Sequence, residues 1–389
     1  MQLDNQGNKH PTLAILEDLI ALQSVNPVYG DDACGEKEVA EYIEQRCKRA
    51  GLSVSRQQVL PGRDNLIVEL RVGKPESTLL FEAHMDTASI GSMVDPLRPT
   101  YVGDRLYGRG ACDTKGALAG MIYAMEEAAK EPEQLASDLV LCASVDEEHA
   151  YRGVLAFLDL NIPVAGAVVG EPTELGIVIA HKGCIRFAVN THGKAAHSSV
   201  PYEGNNAIYQ MAHILRFIHE EAEPRLAPMW HPLCGAPSIV VGTIHGGHQV
   251  NIVPESCVIE VDRRIVAGED PEQVLFDLEH ELRTYIDDHD INVSVEKLLL
   301  DWPLDTSPDA GVVRHAQRVA RSLELNATLC GVPYGSDASK LQHRQGIPSI
   351  VYGPGSIAQA HARDEWVSVK QVEQAAAFYT EVARTFGQL

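Results

Sequence analysis

Basic side chains are scarce in this sequence: 32 Lys and Arg stand against 54 Asp and Glu, giving a formal net charge of −22. Nucleic acid and anionic membrane surfaces are bound through an excess of Lys and Arg, so neither is an expected partner. Acidity on this scale serves solubility, and it leaves room for an acidic substrate because charge within one cleft can oppose the global sign. Paired cysteines are absent too. The eight cysteines, at 34, 47, 112, 142, 184, 234, 257 and 330, form no Cys-x-x-Cys pair and no compact framework, which suits reduced thiols better than disulfides or a thiolate metal site. No apolar run approaches the ~20 residues that span a bilayer. Met1 to Lys9 is polar and lacks the apolar segment of a secretory signal. The expectation is a soluble, cytoplasmic protein. Familiar catalytic signatures are also missing. There is no Gly-x-Ser-x-Gly elbow, since Gly335-Ser336-Asp337-Ala338-Ser339 is not one, and no His-Glu-x-x-His helix. The loop Gly108 to Gly116 carries Asp113 where a dinucleotide fingerprint needs glycine.

What is present reads as a globular enzyme of two domains. Hydrophobic residues at 45% and charged residues at 22% are ordinary values, and 389 residues exceed the roughly 250 to 300 that one core supports. Apolar spacing predicts helices over 10–24 and 36–50, the second stopped by Gly51. Strand-like runs follow at 52–59, 65–72 and 78–83, then a helix over 114–130, a strand 138–145 ending in acids, a helix beginning near Tyr151 and a strand 165–169 ending at Gly170-Glu171-Pro172. Alternating strands and helices predict an α/β domain, its sheet mixed and mostly parallel and flanked by helices, with chemistry beyond the carboxyl ends of the strands. From Gly183 the pattern changes. Strand 184–189, helix 205–218, strands 238–244 and 256–264, helix 271–288 and strand 292–298 make a β-α-β-β-α-β order, the ferredoxin-like arrangement. After Pro303 the first pattern resumes, with helices near 310–323 and 368–386 and a strand 349–352. The organisation is a discontinuous catalytic domain, 1–182 and 299–389, with an α+β domain inserted at 183–298.

His84-Met85-Asp86 follows the apolar run Leu79-Leu80-Phe81, and side chains two apart at a strand end share a side. One can bind a metal through its imidazole while the other orients that imidazole or works beside the metal. Alone, the triplet fits equally a polar strand end entering a loop. Asp146-Glu147-Glu148 alone fits a solvated loop, and His361 alone a surface or core histidine. Yet His84, Asp113, Glu148, Glu171 and His361 all stand where a strand gives way to a loop. Crowding carboxylates into one cleft is costly unless cations neutralise them. Two divalent metals would do so, and two His with three carboxylates suit zinc.

These motifs, running in order from His84-Met85-Asp86-Thr87 to Ala360-His361-Ala362-Arg363-Asp364-Glu365, resemble those of the dinuclear zinc amidohydrolases that include acetylornithine deacetylase, succinyl-diaminopimelate desuccinylase, aminoacylase and the glutamate carboxypeptidases. The resemblance implies two divalent ions, zinc ahead of cobalt or manganese, bridged by Asp113, with His84 and Glu171 completing one site and Glu148 and His361 the other. It implies that Asp86 holds the His84 imidazole, and that Glu147 is the general base taking a proton from water and passing it to the leaving nitrogen. A cis peptide at Asp113-Thr114 belongs to the same pattern. The inserted domain resembles the family's lid and dimerisation domain, which implies a homodimer. Gly193-Lys194-Ala195-Ala196-His197-Ser198 matches its histidine motif, whose imidazole stabilises the oxyanion in the partner subunit's site. Asn251 and Arg264 match positions that hold the substrate carboxylate, a task for which a guanidinium fork is suited. Strand alternation puts Asp262 and Arg264 on a face that Arg263 does not share. Gly335-Ser336-Asp337 and Gly353-Pro354-Gly355 resemble substrate-lining loops, which nominates Ser336 and Gly355.

The expected activity is hydrolysis of the amide bond of an N-acyl amino acid, of the acetylornithine deacetylase or desuccinylase type. Glu171 carries that tilt: branches with Glu there resemble deacylases and glutamate carboxypeptidases, whereas many dipeptidase and tripeptidase relatives have Asp. A metallo-carboxypeptidase or dipeptidase acting on a short peptide is the alternative. A non-catalytic binding protein on this fold is the alternative of another class, favoured by loss of a ligand or of the base, and every one of those positions holds the expected chemical type.

Overall fold

The computed structural model describes residues 9–30, 33–287, 289 and 291–388. Residues 1–8 of the polar N-terminal segment, and Asp288, the expected end of a helix, lie outside them. Contacts divide the chain into two compact units: Met1–Ile179 with Thr306–Cys330 and Ser336–Leu389, and Ala180–Asp305 with Gly331–Gly335. The sequence pattern set the divisions at 182/183 and 298/299 and did not separate 331–335.

In the first unit, strands Leu79–His84, Leu139–Ser144 and Gly166–Val169 are buried along their whole length. Near-continuous apolar runs of this kind belong to parallel strands covered on both faces. They run parallel with Ser349–Val351, in the order Leu139–Ser144, Leu79–His84, Gly166–Val169, Ser349–Val351. Antiparallel strands flank this centre: Arg63–Leu70 and then Ser53–Leu60 on one side, Ile177–His181 on the other. The mixed, mostly parallel sheet is the one expected. Helices Pro11–Ala21, Lys115–Ala128 and Val369–Thr385 pack against one another, and Arg152–Asp159 packs against Ala338–Gln345. Tyr352 stacks on Phe378 with ring centroids 3.8 Å apart, and the Tyr379 hydroxyl donates to the Tyr352 carbonyl at 2.6 Å. That bond satisfies a polar tip inside an apolar layer, as buried tyrosines require.

Several elements escape the sequence pattern for physical reasons. Thr100–Val102, Arg105–Tyr107 and Trp366–Ser368 form a small sheet of three-residue strands, too short to show a period of two. Helix Ala338–Gln345 has the sequence ASKLQHRQ, which offers no apolar stripe. The helix expected to begin near Tyr151 is Arg152–Asp159, while the short turn of helix Glu147–Ala150 ahead of it, set off by Tyr151 at φ 58, was not expected.

The second unit carries a four-stranded antiparallel sheet in the order Ser238–Gly246, Ser256–Ile265, Gly183–His192, Val293–Asp301. Its helices start at sequence-encoded caps. Asn206 accepts from Ile208 N–H and Tyr209 N–H, and Asp270 accepts from Glu272 N–H and Gln273 N–H ahead of Pro271. Ile185, Val189, Met211, Ile214 and Ile259 build a core of its own. The helix expected over 205–218 is α-helical only to Arg216 and widens into a π-helical segment over Phe217–Ala222.

Candidate metal centre

Three neighbouring parallel strands deliver functional groups at their carboxyl ends. Leu79–His84 ends on His84, Gly166–Val169 ends just before Glu171, and Leu139–Ser144 just before Glu147 and Glu148. His84 Nε2 lies 3.1 Å from Asp113 Oδ1, 3.8 Å from Glu171 Oε1 and 3.9 Å from Glu147 Oε2. His361 Nε2 lies 3.2 Å from Asp113 Oδ2 and 3.0 Å from Glu148 Oε2. Each oxygen of Asp113 therefore faces one imidazole. Two groups of donor atoms result, His84 with Glu147 and Glu171, and Asp113 with Glu148 and His361, all atoms within each group lying within 4.8 Å of one another.

The Asp113 loop is held from across the sequence. Gly110, at φ +79, turns the chain tightly where a side chain would meet Lys115 and Thr87. Glu365, fully buried, accepts the N–H groups of Gly110, Cys112 and Asp113 and pairs with Arg109. The Asp113–Thr114 peptide is cis. Sequence reasoning quoted Glu365 within its motif without giving it a task.

The turn that presents Glu147 and Glu148 is fixed by a second buried network. Asp146 adopts φ 69, a left-handed conformation that costs a non-glycine residue energy unless its surroundings hold it. Its carboxylate meets Arg63 Nη1 at 3.1 Å, Arg152 Nη2 at 3.0 Å and Asn26 Nδ2 at 3.1 Å. Asp86 Oδ1 accepts Glu147 N–H at 3.1 Å, while Asp86 Oδ2 accepts Glu148 N–H at 3.2 Å and Asn26 Nδ2 at 2.8 Å. The carboxylate of Asp86 is thus a cap for the two acids. His84 Nδ1 donates instead to the Asp86 carbonyl at 2.8 Å, with Asp86 Oδ1 at 3.6 Å, and this leaves the Nε2 lone pair facing Asp113. Asn26, Arg63 and Glu36, whose Oε1 accepts the Asp146 N–H at 3.2 Å, had no signal in the sequence beyond being polar residues between apolar runs.

Electrostatics mark the cluster as short of positive charge. Burial pushes the Glu147 carboxyl well above its ordinary range, His84 offsetting part and Asp337, Glu148 and Asp113 adding to it. Burial also raises Glu171, with Asp113 and Glu147 adding. Asp113 is held below the usual carboxylate range: burial opposes this, but hydrogen bonds from His361 and His84 outweigh it. Hydrogen bonds to Asp113 and Glu148 push His361 up to about 10 against burial. Four carboxylates converging on two imidazoles fit two divalent cations, with His84, Glu171 and Asp113 able to hold one and Glu148, His361 and Asp113 the other. Glu147 lies within reach of the first group while its backbone is tied to Asp86.

The remaining candidates belong to neither group of donor atoms. In the second unit, Ser198 N–H donates to the Asn251 carbonyl at 3.0 Å, so exposed His197 and Asn251 lie on adjoining strands of chain. His197 Nδ1 accepts Ser199 N–H at 3.2 Å, which leaves the proton on Nε2. Arg264 Nε donates to Asp262 Oδ1 at 2.7 Å, while Arg263, on the other face, pairs with Glu269. Ser336 is fully buried, its hydroxyl accepting Ala338 N–H and its carbonyl taking Lys340 Nζ. Gly355, at φ +86, packs where a side chain would strike Cys112 Sγ at 2.5 Å.

Known proteins resemble the chain over most of its length. The profile of Peptidase family M20/M25/M40 matches residues 80–385. An acetylornithine deacetylase of Myxococcus xanthus is 30% identical over 348 residues, spanning 85% of this chain and 87% of that protein. A probable succinyl-diaminopimelate desuccinylase of Staphylococcus aureus is 28% identical over 393 residues, spanning 91% and 92%. The solved structure of an M20 family metallo-carboxypeptidase from Sulfolobus solfataricus superimposes with a TM-score of 0.80 at 19% identity, covering 98% of this chain and 100% of that one, a likeness of fold. The chain belongs to Peptidase family M20/M25/M40, a family of hydrolases.

Proposed function

We propose that the protein hydrolyses the amide bond of an N-acyl amino acid. The observation that carries this reading is Asp113, whose two oxygens face His84 and His361 separately. Bound there, two divalent ions, zinc ahead of cobalt or manganese, would polarise the amide carbonyl and make water nucleophilic near neutral pH. Glu147 then takes the proton of that water and returns it to the leaving nitrogen; burial, which raises its carboxyl, suits a group that must both accept and donate. Asp86 fixes its position through the Glu147 N–H. His197, with its proton on Nε2, is the oxyanion donor in this reading, supplied by a second copy in a homodimer. Asn251 and Arg264 bind the substrate carboxylate. The deacetylase and desuccinylase relatives, together with Glu in place of Asp at 171, support a deacylase over a dipeptidase.

Metal analysis of the purified protein, with N-acetylornithine, N-succinyl-diaminopimelate and a panel of dipeptides assayed before and after chelation, tests the reading. About two equivalents of metal and chelator-sensitive deacylation are expected. Preference for dipeptides would move the protein to the peptidase branch, and folded protein that takes up no metal and hydrolyses nothing would leave a binding protein on this fold. Glu147→Ala should lose at least about a hundredfold in turnover. Sedimentation at micromolar concentration tests the homodimer, and a monomer would remove His197 from the scheme.

A further inference from the structure

A cleft of about 740 Å³ lies in the first unit at the opposite end of the strands from the metal centre. Its wall includes Ser77, ahead of strand Leu79–His84, and Ala165, ahead of strand Gly166–Val169, whereas His84 and Glu171 stand at the carboxyl ends of those strands. Six residues of strand separate the two places by about 20 Å. One side of the cleft is helix Gly311–Ser322, which contributes Arg314, Arg318 and Arg321. Spacings of four and seven residues put the three guanidinium stems on one strip of helix roughly 10 Å long.

Among the described residues none of these arginines forms an ion pair, and Glu76, itself exposed, is the one acid on the cleft wall. Like charges at i and i+4 repel, and a chain with a net charge of −22 has acids to spare for neutralising them. The strip is also constructed. Arg318 Nη2 donates to Nδ1 of His315, which is 4% exposed. His315 Nε2 donates in turn to Thr385 Oγ1 at 3.3 Å, the Thr385 hydroxyl being committed to the Glu381 carbonyl at 2.6 Å. The imidazole is therefore neutral, and burial with the nearby Arg318 charge pushes it down to about 4. Phe386 meets the His315 ring edge-on at 5.4 Å and gives the cleft a fixed apolar wall. A buried neutral histidine thus holds one tip of an exposed guanidinium, leaving its other N–H groups to the cleft.

We propose that this cleft is a second ligand site, for a small molecule carrying two or more phosphate or carboxylate groups that Arg314, Arg318 and Arg321 bind. Guanidinium forks match both oxyanions, and the cleft volume falls within the range of small-molecule sites. Neighbouring arginines on the strip lie about 5 to 6 Å apart at their stems, so a single orthophosphate engages at most two of them. The site belongs to the same unit as the metal centre and stands whatever substrate that centre takes.

Isothermal titration of the full chain at fixed ionic strength tests this, with a sugar bisphosphate, a tricarboxylate and orthophosphate as probes. One of the two polyanions is expected to bind saturably at one site per chain, at least about tenfold tighter than orthophosphate, and the tighter one names the anionic group. The double variant R314Q/R321Q changes exposed side chains only and leaves the Arg318–His315 bond in place. It should keep the unfolding temperature of the parent and lose at least about tenfold in that affinity. Binding that persists in the double variant resides elsewhere on the chain and overturns the proposal. Absence of saturable heat overturns it too, and orthophosphate matching the polyanions reduces the cleft to an adventitious ion only.

Discussion

Glu365 accepts the backbone N–H of Asp113 at 3.0 Å and of Cys112 at 2.9 Å on one oxygen, and that of Gly110 at 3.0 Å on the other, where Arg109 also pairs at 2.7 Å. A carboxylate is the only side chain that can accept all of these at once. Glu365→Gln keeps the shape but turns one acceptor into a donor facing N–H groups and leaves Arg109 buried without its counter-charge. Metal affinity should fall about 10- to 100-fold, as it does when the partners of ligands are lost. Titration of the metal-free protein with zinc measures this, and parental affinity would show that the loop is held by other means.

Arg63 forms a two-pronged bond to Glu36, at 2.7 Å and 2.5 Å, while its third nitrogen reaches Asp146. Breaking a buried pair of this kind strands a charge and costs about 3 to 5 kcal/mol. Arg63→Leu should therefore lower the unfolding free energy by that order and also reduce turnover, because Asp146 precedes Glu147 in the turn. Arg63→Lys keeps the charge but loses the fork, and should recover stability in part and turnover less. Equal turnover in all three proteins, read beside denaturant unfolding, would detach Arg63 from the active site.

The sheet and the cluster were legible to different degrees for one reason. Strands such as Leu79–His84 and Leu139–Ser144 advertise themselves because burial on both faces demands an unbroken apolar run. His84, Asp113, Glu148, Glu171 and His361 stand out because acids and histidines are conspicuous where such runs end. Their supports do not. Asn26, Glu36, Arg63 and Glu365 are far from the residues they hold, and a buried hydrogen bond between distant segments leaves no period or spacing in either. Asp86 shows the same limit: strand alternation places it beside His84, but only the fold shows its carboxylate capping Glu147 and Glu148.

His315 offers a pH test of stability away from the metal centre. Burial, then the Arg318 charge, lowers its folded pKa to about 4 from an ordinary value of about 6.5. Between those values the unfolded chain binds a proton that the folded chain does not, so acidification through this window favours unfolding, and above pH ~6.5 the effect vanishes. The difference in unfolding temperature between the parent and His315→Gln should accordingly shrink as pH falls from about 6.5 to about 4. A constant difference across the window would mean that the imidazole stays neutral in both states or charged in both.

Removing metal should be read first in stability and only then in activity. Glu147 and Glu171 are raised by burial and by their neighbours' charge, so the cluster without cations must either take up protons or endure repulsion. An ion that binds the folded chain and not the unfolded one adds RT ln(1 + [L]/Kd), about 4 kcal/mol at a thousandfold excess over Kd. For a chain of this size that corresponds to a rise of several degrees in unfolding temperature. Calorimetry of the chelated protein, before and after two equivalents of zinc, should show that rise for the parent and a much smaller one for Asp113→Asn, which withdraws the charge shared by both donor groups. An equal rise in both proteins would place the zinc elsewhere on this acidic surface.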